Sequence, residues 1–320
     1  GTVNGGTGSD SLSIGSGFGP LTITLGEISN SVTGYSNFDH LSAATADGIL
    51  TVTAAAGGSV ITTGTGADNI TLGAGIDTVN SGDGADTVTN IGNGDTVNLQ
   101  DGDDNASFDG NVNAIINGGE GNQTTGDTLT ITATTGAMTI DLSISNNQQI
   151  SGPGAGAGDY RNFENLIASG ATHALTVTAD TVGSTITTGS AADSVTLGAG
   201  VDTVSTGDSV DTISGGLSAG DSINFGGGDE SYTYETTVAT VNGGEGNETN
   251  GDALTITSTT GAMTINLNAV DAQQITVGSP GTWMNFEDLA AGGATHSLNV
   301  TASSGGSTIT TGSANDQIVL

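Results

Sequence analysis

Asp68, Asp77, Asp86, Asp95 and Asp104 follow one another at a constant step of nine residues. Two positions after each stands a small or apolar residue: Ile70, Val79, Val88, Val97 and Ala106. Before each lies a glycine pair or half-pair, as in Gly64-Thr65-Gly66-Ala67-Asp68. A unit of six loop residues and three strand residues accounts for this. Alternation along a strand points the middle residue inward and its two neighbours outward, which gives one apolar residue in nine. Glycine supplies the φ > 0 of a sharp loop. Two units close one coil of about 18 residues. Asp68 then stacks over Asp86, and Asp77 over Asp95 on the opposite side. Carboxylates less than about 5 Å apart repel. The pattern therefore predicts a cation between stacked loops, held by carboxylates and loop carbonyls, and Ca²⁺ suits such an all-oxygen site best.

The period recurs. Asp193, Asp202 and Asp211 keep the step, and Asp221 follows after a one-residue slip, with Val195, Val204, Ile213 and Ile223 in the inward places. Asp316 and Ile318 begin the pattern again before the sequence ends. In other coils a serine holds the acid's place: Ser59, Ser184 and Ser307, each followed by an inward isoleucine, Ile61, Ile186 and Ile309. These coils are predicted to be metal-free. Gly118-Gly119-Glu120-Gly121 and Gly243-Gly244-Glu245-Gly246 open like nonapeptide loops, but a four-residue insertion separates them from Asp127 and Asp252. Segments 128–180 and 253–303 carry apolar residues at looser steps. Wider coils of the same solenoid and a small β-sandwich both remain open for them.

A longer repeat encloses the short one. Val3-Asn4-Gly5-Gly6 returns at Ile116 and Val241, and Asn37-Phe38-Asp39-His40-Leu41 returns as Asn162-Phe163-Glu164-Asn165-Leu166 and Asn285-Phe286-Glu287-Asp288-Leu289. The copies are 1–115, 116–240 and 241–320, offset by 113 to 125 residues. The third stops mid-repeat at Leu320, and Gly1-Thr2-Val3-Asn4 does not read as a signal peptide, so the chain is expected to be a piece of a longer protein.

Charge excludes several partners. The chain carries 34 acidic residues against one basic residue, Arg161, for a formal charge of −33. No cationic surface exists to displace counterions from nucleic acid, and an anionic membrane repels it. No run of about 18 apolar residues can insert into a bilayer. Cysteine is absent, which rules out disulfides and thiolate metal sites. Low aromatic content and high charge usually signal disorder. The strict period and the wealth of Val, Ile, Leu and Thr point instead to strands, with a counter-ion offsetting self-repulsion.

The nonapeptide units resemble the repeats-in-toxin (RTX) pattern GGxGxDxUx. Gly5-Gly6-Thr7-Gly8-Ser9-Asp10-Ser11-Leu12-Ser13 fits every position, while the runs Gly64–Ala106 and Gly189–Ile223 are degenerate. The resemblance implies an all-β, right-handed parallel β-solenoid, extended rather than globular, with Ca²⁺ between its loops. The candidate ligands are Asp10, Asp68, Asp77, Asp86, Asp95, Asp104, Asp127, Asp193, Asp202, Asp211, Asp221, Asp252 and Asp316. It further implies a secreted, non-enzymatic role in a bacterial S-layer or extracellular fibre, exported by type I secretion and self-associating, with any cell-surface polysaccharide anchor outside this segment. The alternatives are an adhesin stalk, a calcium-binding module of a secreted enzyme, and, from Thr-x-Thr triplets such as Thr51-Val52-Thr53, an ice-binding solenoid.

Of the three histidines, His173 and His296 are repeat-equivalent and His40 is not, a pattern that suits structure better than catalysis. Arg161 is expected to pair locally with Asp159 or Glu164. Tyr160 and Trp283 are expected either to pack over a coil or to contact a neighbouring subunit.

Overall fold

A computed structural model describes residues 3–26 and 35–320. Among them there is no helix. The chain divides into two compact units, 1–170 and 171–320, and each is a parallel β-solenoid.

In the first unit the chain alternates between two parallel ladders, laying down one strand of each per coil. One ladder runs through Leu21–Thr24, Leu50–Thr53, Asn69–Thr71, Thr87–Ile91, Asn105–Phe108, Thr128–Ile131 and Asn165–Ile167. The other runs through Ser11–Ser13, His40–Ser42, Val60–Thr62, Thr78–Asn80, Thr96–Asp101, Ile115–Gly121 and Asp159–Arg161. The register stacks each inward residue on its equivalent. Val52, Ile70, Val88, Ala106, Leu129 and Leu166 form one column. Leu12, Leu41, Ile61, Val79, Val97, Ile116 and Tyr160 form the opposing one. From Leu41 and Val52 onward these side chains are buried, as the one-in-nine spacing predicts.

The second unit repeats the plan. One ladder is Thr185–Thr187, Thr203–Ser205, Ser222–Asn224, Thr240–Asn242 and Thr282–Met284, with Ile186, Val204, Ile223, Val241 and Trp283 inward. Facing it are Leu175–Thr178, Ser194–Thr196 and Thr212–Ser214, then Ser231–Thr233, Ala253–Thr255, Asp288–Ala290 and Ile309–Thr310.

The looser segments are wider coils, not a sandwich. The inward column passes straight through them, Ala106 to Leu129 to Leu166 and Tyr232 to Leu254 to Leu289. The extra length makes a lateral excursion in which Met138–Asp141 pairs antiparallel with Ile150–Ser151, and Met263–Asn266 with Ile275–Val277. A larger cross-section needs larger side chains to stay close-packed. Aromatics supply them: Tyr160, Phe163, Trp283 and Phe286 are all fully buried. Tyr160 stacks on Phe108 with ring centroids 5.0 Å apart, and Trp283 packs on Tyr234 at 5.1 Å. Both therefore pack within their own unit.

The recurring Asn-Phe-Glu motif turns the chain back into this core. Asn162 and Asn285 adopt φ of 60° and 56°, a left-handed conformation that Asn tolerates. The next residue, Phe163 or Phe286, then enters the core, where a buried glutamine clamps its main chain. Gln149 Nε2 donates to Phe163 O at 2.8 Å and Phe163 N–H donates to Gln149 Oε1 at 3.0 Å. Gln274 does the same for Phe286. Outward positions form polar rows, such as Asn80, Asn98, Asn117 and Asn162, each amide donating to the one before.

The stacking predicts a sharp contrast between neighbours. Ile186→Ala should cost about 2–5 kcal/mol, because the fixed ladder cannot close the cavity. Thr203→Ala, outward and exposed, should stay within about 0.5 kcal/mol. Urea unfolding of both variants in one buffer checks this, and equal losses would contradict the inward assignment.

Candidate metal centre

The nonapeptide aspartates sit where loop meets strand and turn their carboxylates into the stack. Each Oδ1 accepts the main-chain N–H of the residue one coil earlier. Leu50 N–H donates to Asp68 Oδ1 (2.7 Å), Asp68 N–H to Asp86 (2.7 Å), Asp86 N–H to Asp104 (2.6 Å), and Asp104 N–H to Asp127 (2.8 Å). The opposite side repeats this with Ser59 N–H to Asp77 (2.6 Å) and Asp77 N–H to Asp95 (2.8 Å). In the second unit Leu175, Asp193 and Asp211 are joined in the same way, as are Ser184, Asp202 and Asp221. Asp316 Oδ1 accepts from Leu298 N–H at 2.8 Å. Asp10 follows the same direction, its N–H donating to Asp39 Oδ2 in the next coil at 3.3 Å, and its own Oδ2 is buried without a partner.

The loops bring these carboxylates close because they carry no side chain at the point of contact. Gly84 has φ of 131°, and a Cβ there would lie 2.4 Å from Gly66 O. Only glycine allows both.

Within each unit, Asp10 apart, the second carboxylate oxygens divide the two sides. On one side a loop N–H is aimed at each: Gly73 at Asp77 (3.1 Å), Gly92 at Asp95 (2.7 Å), Gly198 at Asp202 (2.9 Å), Ser218 at Asp221 (2.6 Å). Both oxygens of these carboxylates therefore have a main-chain donor. On the other side Oδ2 of Asp68, Asp86, Asp104 and Asp211 is buried without a well-formed hydrogen bond, although Thr63 and Gly64 lie near the Asp68 carboxylate, Ser81 near Asp86 and Thr206 near Asp211. Asp193 belongs to that side but takes Gly189 N–H at 3.2 Å. A buried, unpaired carboxylate oxygen is costly, and Arg161, the only basic residue, is bonded to Asp159. The donor set is all oxygen and anionic, which fits a hard cation such as Ca²⁺. Bound there, the ion would neutralise the carboxylates and supply the missing partner.

The serine coils explain their lack of acid. Ser59 Oγ accepts Ala55 N–H (2.9 Å), Ser184 Oγ accepts Asp180 N–H (2.8 Å) and Ser307 Oγ accepts Ser303 N–H (2.8 Å). This is the bond that Oδ2 of Asp77 and Asp202 makes to its own loop. A neutral hydroxyl does the same work without a charge.

Three features were not foreseen. Glu230, two residues before inward Tyr232, continues the acidic column. It is buried, and both its carboxylate oxygens lack a partner. Its N–H donates to Asp252 Oδ1 at 2.8 Å. Glu164 and Glu287 extend the columns through the wide coils, each Oε2 accepting the N–H of Asp127 or Asp252 (2.7 and 2.9 Å). The insertions before Asp127 and Asp252 each wrap a carboxylate. Asp103 Oδ1 accepts from Thr124, Thr125 and Gly126 N–H, and Asp229 Oδ1 from Thr249, Asn250 and Gly251 N–H. Among the described residues, one place gathers three acidic side chains with ligand atoms within 4.8 Å of one another, namely Glu248, Asp252 and Glu287.

Burial pushes the carboxyls of Asp86, Asp104 and Asp211 up to about 7, Asp127 to about 8 and Asp252 to about 9. Main-chain N–H donors oppose the rise, and neighbouring carboxylates add to it. Asp229 moves the other way, because the N–H groups of Asn250 and Thr249 stabilise its charge. The histidines serve local bonds: His40 Nδ1 accepts Val60 N–H at 2.8 Å, and His296 lies against Thr259.

No protein-family model, curated protein or solved structure matches the chain.

A carboxyl with a higher pKa folded than unfolded stabilises the fold while neutral, below about pH 4, and that contribution is lost as pH rises through the folded value. Without divalent cations, the thermal midpoint should therefore fall between pH 5 and pH 9. A flat or rising profile in chelator would refute the buried charges. In chelator at pH 8, Asp86→Asn should raise the midpoint, since Oδ1 can still accept Asp68 N–H. Asp77→Asn should cost about 1–3 kcal/mol, because an amide cannot accept both Ser59 and Gly73 N–H. The same sign for both variants would contradict the distinction.

Proposed function

We propose that the chain is a calcium-stabilised structural segment of a secreted surface protein that self-associates into a surface lattice or fibre. The observation that supports this is the ladder of buried carboxylates, repeated in both units, with oxygens left unpartnered at Asp10, Asp68, Asp86, Asp104, Asp211, Glu230 and Asp252. The sequence offers no cation to meet them beyond Arg161. The carboxylates are bonded to main chain and arrayed by repetition, an arrangement for holding coils together rather than for turning over a substrate.

On this reading calcium acts as the missing half of the fold. Where calcium is scarce, charge repulsion and buried, unpaired oxygens disfavour closing the coils, and the chain stays open for export. Where calcium is millimolar, binding to the folded form alone adds its binding free energy to stability. The outward rows of Thr, Ser and Asn give each unit polar, strand-rich faces suited to a passive scaffold.

Circular dichroism after chelation should show a weakened strand signal and a lower thermal midpoint, both regained as calcium is returned. A chain equally folded in excess chelator would defeat the calcium reading. Electron microscopy of the calcium-loaded chain should show sheets or fibres. A monodisperse monomer at high concentration in calcium would defeat the assembly reading and leave a calcium-binding module.

A further inference from the structure

The two inserted loops, 121–127 and 246–252, are built alike and differ at a telling position. In each, the aspartate Oδ1 accepts the N–H of the preceding column residue, Asp104 or Glu230, at 2.8 Å. In each, the aspartate N–H donates to a glutamate of the Asn-Phe-Glu motif. In each, Oδ2 occupies the same place: a Cβ added at Gly118 would lie 2.6 Å from Asp127 Oδ2, and one at Gly243 would lie 2.5 Å from Asp252 Oδ2. What faces Oδ2 is not the same. In the earlier loop Gln123 Nε2 donates to Asp127 Oδ2 at 2.6 Å. In the later loop the equivalent residue is Glu248, which has no proton to give when ionised. Asp252 is fully buried, and its Oδ2 has no hydrogen-bond partner.

Replacing Gln by Glu thus turns a donor into an acceptor at a site that needs a donor. Glu248, Asp252 and Glu287 bring their ligand atoms within 4.8 Å of one another. Next in the column is Glu230, buried, its N–H on Asp252 Oδ1 and its carboxyl against that of Asp252. One shared proton satisfies one pair of carboxylates and leaves the remaining charges facing each other. A single divalent ion satisfies all three. Glu248 and Glu287 are only part-buried, which gives a hydrated ion a route in.

We propose that Glu248, Asp252 and Glu287 form a discrete calcium site that Gln123 removes from the equivalent position at Asp127. Three carboxylates contributed by an inserted loop and a wide coil suit the irregular oxygen shell of Ca²⁺ better than the strict octahedron of Mg²⁺. The site deepens the calcium reading above but stands on its own residues, two of which lie outside the nonapeptide columns.

The test exchanges the two residues in the full chain. Bound calcium is counted by equilibrium dialysis at pH 7.5 for the unaltered protein, E248Q and Q123E. Thermal unfolding is followed in chelator for the same three proteins. E248Q should bind one ion fewer per chain and unfold at higher temperature in chelator, because the amide now meets Asp252. Q123E should bind one ion more and unfold lower in chelator. An unchanged count in E248Q would overturn the site and leave its carboxyls to shared protons. A single bound ion that E248Q abolishes would uphold this site while removing the column reading. An unaltered chain that binds no calcium overturns both.

Discussion

The bond from an aspartate Oδ1 to the main-chain N–H one coil earlier is the contact on which the rest depends. It is charge-assisted, and so stronger than an ordinary ladder bond. It also fixes the register of one coil on the next at the point where the loop begins. With that register set, each inward residue falls on its equivalent, and Ile70 on Val88 or Val204 on Ile223 follows. The cost is a carboxylate held out of water. Desolvation is the leading cause of the raised pKa at Asp86, Asp104 and Asp211. The interaction that orders the stack therefore also makes it depend on what neutralises the charge.

That tension is resolved in different ways from place to place. Asp77, Asp95, Asp202 and Asp221 take a second N–H from their own loop, which opposes but does not cancel the rise that burial gives Asp77 and Asp202. Ser59, Ser184 and Ser307 keep the loop bond and discard the charge. Buried hydroxyls also join the coils, as where Thr63 Oγ1 donates to Ser81 O and Ser81 Oγ to Leu99 O. What remains unmet is concentrated at Asp10, Asp68, Asp86, Asp104, Asp211, Glu230 and Asp252. Treating every aspartate of the repeat as equivalent would miss this, since the direction of one loop N–H separates a complete carboxylate from an incomplete one.

The coil plan was legible in the sequence because the nine-residue step places one kind of residue at one kind of position. The inward residues and the stacking of Asp68 on Asp86 could both be read from spacing. Glu230 could have been found too, since it stands two residues before Tyr232 just as Asp193 stands two before Val195. Glu164 and Glu287 could not. They lie 37 and 35 residues from the N–H groups they accept, a separation set by the lateral excursion and not by the period. The clamps at Gln149 and Gln274 were hidden for the same reason. The four-residue insertions were visible as breaks, but their purpose appears only when three successive N–H groups converge on Asp103 or Asp229, a small anion-binding turn. The unequal needs of the two sides were out of reach, because spacing does not reveal where a loop N–H points.

The long repeat works as a set of natural substitutions on one backbone. Asp104 and Glu230 hold equivalent places, and the glutamate, one methylene longer, still passes its N–H to the next aspartate. Gln123 and Glu248 differ by an amide against a carboxylate, while the surrounding bonds are the same within 0.2 Å. Backbone geometry and charge demand are thus separable here: the ladder fixes the first, and single side chains set the second. A chain built in this way can vary its cation demand coil by coil without altering its shape. On the calcium reading, the serine coils are the parts able to close first, and the incomplete column closes only as the ion arrives. Calcium then selects how much of the solenoid is folded rather than which fold is adopted.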